Sequence, residues 1–360
     1  MTGRVPAYRV GAFAALHERE GIEVALFGGR SLHGGAPAPG DLPFPSRAVS
    51  APRIGALAAG GAHRAVICST GGRAALPAAW AGARVGHHPL VLWASLWAHP
   101  ASPAHALSYL PLRRLYRSAD AVVTYGPHVS AYVSARGARN VHVAPQSVDG
   151  GFWGAAEVGP PGSHGWPADA HVRFLFAGRD DPAKGLDVLL EAWRSAPAGA
   201  ALVLATAARE RGVAAAPGAA AAPVWLGPLS PAQLREVYGG SDVLVVPSVA
   251  TRTFREPWGL VVNEAMSRGL AVIASEDVGA AAGGLVRNGE TGLVVPAGDA
   301  AALAAAIGAL AGDRALRERL GEAGRAAVAA YTHEAWARGF SDALSTLGVS
   351  AALSNRRPRP

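Results

Sequence analysis

With 360 residues, half of them apolar and 16% charged, the chain has the length of two ordinary domains and the balance of a folded rather than a disordered protein. Its net charge of +7 belongs to the first 150 residues, where 14 arginines face six acidic residues; the remainder holds 19 basic and 20 acidic residues. No run of about 18 apolar residues is present to span a bilayer, residues 1–10 lack the apolar core of a signal peptide, and the single cysteine, Cys68, has no intrachain disulfide partner.

These features lead us to expect a cytoplasmic protein, peripheral at most at the inner face of the cell membrane. The arginines are scattered without the interleaved aromatics of a nucleic-acid module, so an anionic membrane surface or anionic acceptor is the expected partner and nucleic acid is not. Cys68 lies in the apolar run AVIC and reads as a buried, inert thiol. The chain has 32 arginines and a single lysine, Lys184, so a composition that avoids lysine keeps it at one position.

Apolar positions at Val10, Phe13, Ala14 and Leu16 predict a helix over residues 5–19, leading into the β-rich run IEVALFGG. Residues 31–54, rich in Gly, Pro and Ala, read as a long loop. Strands are expected at 65–70, 90–95, 121–126 and 141–145, with helices at 74–82 and 111–117 between them. His87 and His88, adjacent and pointing apart on a strand, do not read as a metal pair. Gly and Pro crowd residues 151–170, the expected linker between an N-terminal domain of residues 1–150 and a C-terminal domain of residues 171–332.

Beyond the linker, strands are expected at 173–178, 201–206, 224–227, 242–248 and 271–275. Helices are expected at 186–195, 231–238 and 258–268, and an alanine-rich loop precedes Pro223. Ser230, Pro231 and Gln233 spell a capping box with proline at the first helical position, and Gly269 stops the 258–268 helix. Helices at 300–311 and 313–330 complete the domain. A last helix at 333–347, within a segment 333–350, carries Trp336 and Phe340 available to dock elsewhere, and residues 351–360 read as a disordered tail. Strands alternating with helices make the fold class α/β, with two Rossmann-like doubly wound domains that bind ligands beyond the carboxyl ends of their strands.

Two stretches carry chemistry. In FAGRDDPAKGLDVLLEAW, Gly178 turns the chain at a strand end, Arg179 follows, and Lys184 with Gly185 opens the next helix. Two cations and a helix start aimed at one crevice suit a diphosphate. In REPWGLVVNEAMSRG, Glu256 lies on a strand-to-helix loop and Glu264 about two turns into the helix. Two carboxylates there accept hydrogen bonds from hydroxyls, which suits a sugar and a ribose, while the N–H groups of Trp258, Gly259 and Leu260 approach the phosphate between them.

Residues 172–300 resemble the donor domain of GT-B glycosyltransferases, specifically the retaining family 4 (glycosyl transferases group 1). The resemblance rests on Gly178–Arg179, Lys184–Gly185, WLGPLS, SDVLVVPS, EPWGLVVNEAMSRGLAVIAS with its two glutamates, and NGETGLVVPAGD; ADAVVTYG and VAPQSVD match more loosely. It implies two facing Rossmann-like domains, with the last helix crossing back to the first. Arg179 and Lys184 are then expected to hold the donor diphosphate in place of a metal and to stabilise its departure. Glu256 is expected to contact the transferred sugar, Glu264 the ribose, and the Trp258–Leu260 backbone the diphosphate. The leaving phosphate takes the acceptor proton on the same face, so configuration is retained.

The implied function is transfer of a hexose-type sugar from a UDP- or GDP-sugar, with no cofactor and no metal, to a glycan or lipid-linked acceptor, as in polysaccharide biosynthesis. A non-catalytic nucleotide-sugar-binding protein and a nucleotide-sugar epimerase of the same fold remain alternative readings. The family begins with a strand and a Gly-rich loop; here the first strand is expected to be missing, leaving an open sheet edge and leaving Tyr8 and Arg9 near the acceptor side without their positioning loop. The family also places a histidine after the strand at LVLWAS, where this chain has Ala94 and Ser95, and His99 is the expected substitute.

Overall fold

The computed structural model of the protein describes residues 1–28, 37–72, 74–155, 166–167, 170–208 and 220–351. The chain divides into two units, residues 1–149 with 331 onward, and residues 150–330. The expected tail from residue 352, most of the expected linker, and residues 209–219 of the alanine-rich loop lie outside the described residues.

Unit 1 opens with α1 (Val10–Glu20), β1 (Val24–Leu26), β2 (Ser46–Ala48) and α2 (Ala51–Ala59), then β3 (Val66–Ser69) and α3 (Ala75–Val85). It continues with β4 (Leu90–Ala94), α4 (Pro103–Ser118), β5 (Ala121–Thr124), α5 (Pro127–Ser134) and β6 (Val141–Val143). Helix α1 buries Ala12, Phe13, Ala15 and Leu16 on one face and stops where Gly21 turns left-handed. β2 and the first turn of α2 lie in residues 31–54, expected to be loop. β2 is too short to show alternation, and α2 starts on a proline that is as good a helix opener as a loop former. All pairings are parallel, in the orders β2-β1 and β3-β4-β5-β6.

At the chain start, residues 1–3 cover part of the edge beside β1. Thr2 N–H donates to Ala25 O (3.1 Å), Phe27 N–H to Thr2 O (3.1 Å) and Ser69 N–H to Met1 O (3.1 Å). The Met1 amino group donates to Ile67 O at 2.6 Å. Residues 1–3 thus lie between β1 and β3 as a short parallel rung. Cys68 is fully buried in the layer beneath α2 and α3, and its burial pushes the thiol pKa up. His87 and His88 lie in the turn after α3 rather than on a strand, and the His88 ring packs tilted against His63 with ring centroids 4.1 Å apart.

Unit 2 begins inside the expected linker with α6 (Gly150–Gly154), whose Trp153 packs edge-on against Tyr238. There follow β7 (Val172–Ala177), α7 (Leu186–Trp193), β8 (Ala200–Ala205), β9 (Val224–Trp225), α8 (Pro231–Gly239) and β10 (Val243–Val246). Then come α9 (Val261–Ser267), β11 (Ala271–Ser275), α10 (Gly279–Ala282), β12 (Leu293–Val295), α11 (Ala300–Gly312) and α12 (Arg314–Val328). The capping box of α8 forms as spelled: Ser230 accepts from Gln233 N–H, and Gln233 Oε1 accepts from Ser230 N–H at 2.9 Å. The parallel sheet runs β12-β11-β10-β7-β8-β9. Its strands β8, β10 and β11 are buried on both faces, as near-continuous apolar runs require.

The last helix, α13 (His333–Thr346), is capped by Thr332 and belongs to unit 1. Trp336 and Phe340, four apart on one face, reach Trp93 of β4 with ring centroids at 5.6 and 5.9 Å, and Trp336 meets Phe13 of α1 at 5.3 Å. Among the described residues, no helix is long and apolar enough to cross a membrane.

Candidate functional site

The strand order of unit 2 locates its crevice. From β7 the chain moves outward through β8 and β9, then returns to place β10 on the other side of β7 and continues to β11 and β12. Loops leaving the carboxyl ends of β7 and β10 therefore diverge, and a doubly wound sheet opens at such a switch point. Residues 178–185 follow β7 and residues 247–260 follow β10. These two loops carry Arg179, Lys184, Glu256 and Trp258.

The first loop is held by its own capping. Asp181 accepts from Ala183 N–H at 3.0 Å and starts a 3-10 turn over Pro182–Lys184. Gly185 then turns left-handed (φ 68°) as the N-cap of α7, and a Cβ there would stand 1.9 Å from Pro247 O. Val249 N–H donates to Ala183 O (2.9 Å), so the Lys184 loop is stitched to the end of β10. Gly178 ends β7 as expected and donates its N–H to Ala205 O at 3.1 Å.

Lys184 Nζ makes an ion pair with Glu256 Oε2, across 72 positions of sequence, with both side chains largely buried. Sequence reading assigned these residues to different parts of a donor; the structure brings them together. Arg179 lies on the same loop, one-third exposed, and pairs instead with Asp181 at 3.5 Å. A cation and a carboxylate that satisfy each other at a crevice mouth are also each available to a ligand that offers phosphate to one and hydroxyls to the other.

Glu264 sits in the first turn of α9 rather than two turns in, because the helix starts at Val261. Gly259, at φ 87°, breaks the chain from helical geometry just before Leu260, the N-cap of α9. Tyr238 Oη donates to Glu264 Oε2 at 3.0 Å, and burial pushes the Glu264 carboxyl up to about 7 despite that hydrogen bond. Trp258 Nε1 donates to Asn263 Oδ1 at 2.7 Å, locking the loop onto α9. On the far side Asp277 takes the Arg255 guanidinium at 2.6 Å and accepts from Ala250 N–H at 2.7 Å. A Cβ on Gly279 would come within 2.0 Å of Pro257 O, so the 256–258 segment lies against the start of α10. Tyr238, Asn263, Arg255 and Asp277 were not picked out from sequence. The signal for Asn263 was its place between the two glutamates; the others are brought in only by the sheet.

Residues 167–327 match the family model of the glycosyl transferases group 1. A D-inositol 3-phosphate glycosyltransferase of Nocardia farcinica is 36% identical over 178 residues, covering 49% of this chain and 35% of the relative. The phosphatidyl-myo-inositol mannosyltransferase of Mycobacterium leprae is 34% identical over 183 residues, covering 49% of this chain and 47% of the relative. The matches thus span less than half the length of these curated relatives. The crystal structure of Anabaena HepE in complex with UDP-glucose superposes with a TM-score of 0.71 at 17% identity, over 96% of this chain and 97% of that one.

The fold is GT-B.

In this GT-B chain the residues expected on the acceptor side of unit 1 fall into two separate clusters. Arg9 is buried, its guanidinium 5.2 Å from the Trp93 ring and 5.3 Å from the Tyr125 ring, and it donates to Gln146 Oε1 and to Tyr125 Oη (3.3 Å). Tyr8, half-buried, lies beside it at 5.5 Å. Arg9 is therefore positioned by side chains beyond the carboxyl ends of β5 and β6, not left without support. His99 is tied elsewhere: its Nε2 lies 2.8 Å from His105 O and its Nδ1 3.4 Å from Tyr132 Oη, with the ring edge-on to Tyr109. Both ring nitrogens are engaged with α4 and α5. Among the described residues no three His, Cys, Asp or Glu side chains group to hold a metal ion.

Proposed function

We propose that this chain is a retaining glycosyltransferase of family 4 that moves a hexose-type sugar from a UDP- or GDP-sugar to a glycan or lipid-linked acceptor without a metal ion. The observation that carries the reading is the Lys184–Glu256 ion pair at the switch point of a parallel sheet, with Arg179 on the same loop. When a donor enters, its diphosphate takes over the Lys184 ammonium and recruits Arg179. Glu256, released from its partner, accepts hydrogen bonds from hydroxyls of the transferred sugar. Glu264, steered by Tyr238, accepts from the ribose, and the backbone of Trp258, Gly259 and Leu260 lies along the diphosphate.

Two fixed cations beside the leaving diphosphate stabilise its developing charge in a partly desolvated crevice, the largest contribution such a site makes. A phosphate oxygen then takes the acceptor proton on the face the nucleotide leaves, so configuration at the sugar carbon is kept. The reading is supported by a group 1 glycosyl transferase match that spans both loops and by the UDP-glucose bound to the GT-B neighbour.

For the acceptor side we propose contact with an anionic membrane surface through α4. Leu107 and Leu110, 81% and 68% exposed, share a face with exposed Pro111 and Arg114, and Arg117 is exposed beside them. The helix contains no acidic residue. Exposed leucines backed by arginines fit the boundary of acidic headgroups and acyl chains.

Incubating the protein with UDP- and GDP-hexoses and following the anomeric signals by NMR tests the catalytic reading. Release or transfer of the sugar with its configuration retained is expected. Intact donor with every nucleotide sugar would leave a binding protein, and a changed sugar still attached to its nucleotide would leave an epimerase.

A further inference from the structure

Arg9 is a buried cation without a counter-ion. The residue is 4% exposed, and among the described residues no carboxylate pairs with it. Its Nη2 donates to Gln146 Oε1 and Tyr125 Oη, while Nη1, shut off from solvent, has no hydrogen-bond partner. The rings of Tyr8, Trp93 and Tyr125 lie 5.5, 5.2 and 5.3 Å from the guanidinium carbon and recover part of the cost of taking it out of water. Ring faces return less than a paired anion does, and a desolvated charge with an open N–H is among the most costly groups a protein buries. An entering anion would supply both the missing charge and the missing acceptor.

The place of this cation in the fold also suits a ligand. Trp93 lies near the end of β4, Tyr125 follows β5 and Gln146 follows β6. Arg9 thus stands beyond the carboxyl ends of three neighbouring parallel strands, the end at which such sheets take ligands. It closes the 3-10 turn Ala7–Arg9, in which Ala7 is exposed and Tyr8 half-buried, so the cation is one residue in from the surface of that turn. His333 is close by: its Nδ1 is 3.0 Å from Ser147 Oγ, and a Cβ on Gly11 would lie 2.5 Å from its ring. Burial holds the His333 imidazole below its usual range; Asp149 and Glu334 pull it up, and the Arg9 charge adds to the depression. The charge of Arg9 is therefore felt by its neighbours rather than cancelled.

We propose that Arg9 anchors an oxyanion subsite, in which a phosphate or carboxylate borne by the acceptor accepts from Nη1 and pairs with the guanidinium. The proposal rests on the reading of unit 1 as the acceptor side, and it makes the preferred acceptor an anionic one. A neutral hydroxyl could fill the hydrogen bond but not the charge, so discrimination falls on the anion.

Small anions test the subsite without assuming the rest of the acceptor. The His333 midpoint is followed by NMR on the full chain in inorganic phosphate, in acetate and in chloride at matched ionic strength, its signal identified with His333→Gln. Phosphate or acetate should raise that midpoint by about half a pH unit or more over chloride, because an anion on Arg9 removes its push on the imidazole. A response to phosphate alone marks a phosphate subsite, and a response to acetate alone a carboxylate subsite. The response should persist in Lys184→Ala, which alters the proposed donor site, and vanish in Arg9→Met, whose His333 midpoint should already be raised in chloride. A wild-type midpoint that is the same in all three salts overturns the proposal, whether or not Arg9→Met folds, and so does an equal response in Arg9→Met. The two readings fail separately: intact donor with every nucleotide sugar would leave the anion response in place, and transfer to a neutral acceptor would survive the loss of that response.

Discussion

At the scale of single residues, the account stands on Lys184. Replacing it with alanine removes one charged hydrogen bond to a diphosphate, about 1.5–3 kcal/mol, and leaves Glu256 with no cation. Lys184→Ala should therefore weaken nucleoside diphosphate binding about tenfold or more and leave nucleoside binding little changed. Equal losses for both in calorimetry would remove Lys184 from the diphosphate site. Glu264 gives a pH signature. Its carboxyl, raised to about 7 by burial, accepts from ribose hydroxyls most strongly when ionised, so nucleotide affinity should fall as pH drops through about 7. Because its folded-state pKa lies above the unfolded one, the same group makes stability fall as pH rises from about 4.5 to about 7. Tyr238→Phe removes a hydrogen bond that favours the carboxylate, so the affinity midpoint should move to higher pH. An unmoved midpoint would mean that Glu264 does not meet the ribose. The residues proposed for the donor stood out in the sequence as candidates, because their spacing after strand ends is local. Their pairing was not: Lys184 meets Glu256 and Tyr238 meets Glu264 only once β7, β8 and β10 have taken their places, and no spacing within either loop encodes that.

At the scale of elements, the loops depend on close approach. Gly185→Ala would place a methyl against Pro247 O and force φ 68° on a non-glycine residue. Gly279→Ala would drive one into Pro257 O. Each should cost about 1–3 kcal/mol, seen as a lower Tm, and should weaken nucleotide binding with every polar site residue still present. Normal affinity in both variants would show that the loops are not held by this packing. In unit 1, Leu107→Asp with Leu110→Asp should abolish sedimentation with phosphatidylserine vesicles at low salt and leave the circular dichroism spectrum unchanged; undiminished binding would exclude α4. Elements with long apolar runs or strong caps were legible in sequence, among them β10, β11, α8 and α13. Those missed include β2 and α2, where a three-residue strand and a helix with proline in its first turn give no periodicity, the short helices α5, α6 and α10, and the three-residue strand β12.

At the scale of the whole chain, strand-helix alternation was enough to read an α/β fold of parallel sheets. The chain start was not legible, because three residues carry no pattern and only the ladder shows them seated between β1 and β3. The proposed chemistry assigns charge neutralisation to Arg179 and Lys184, so turnover should persist in excess chelator; activity lost in chelator and restored by magnesium or manganese would contradict that assignment. The central claim, that the Lys184–Glu256 pair is the donor diphosphate site, has a direct probe in the lysine itself, the only one in the chain. Acylation by an amine-reactive reagent, quantified at Lys184 by peptide mass spectrometry, should be slowed at least severalfold by saturating UDP or GDP and unaffected by the matching nucleosides. If Lys184 is acylated at the same rate while calorimetry shows a nucleoside diphosphate bound, the diphosphate lies elsewhere and the proposed site is wrong.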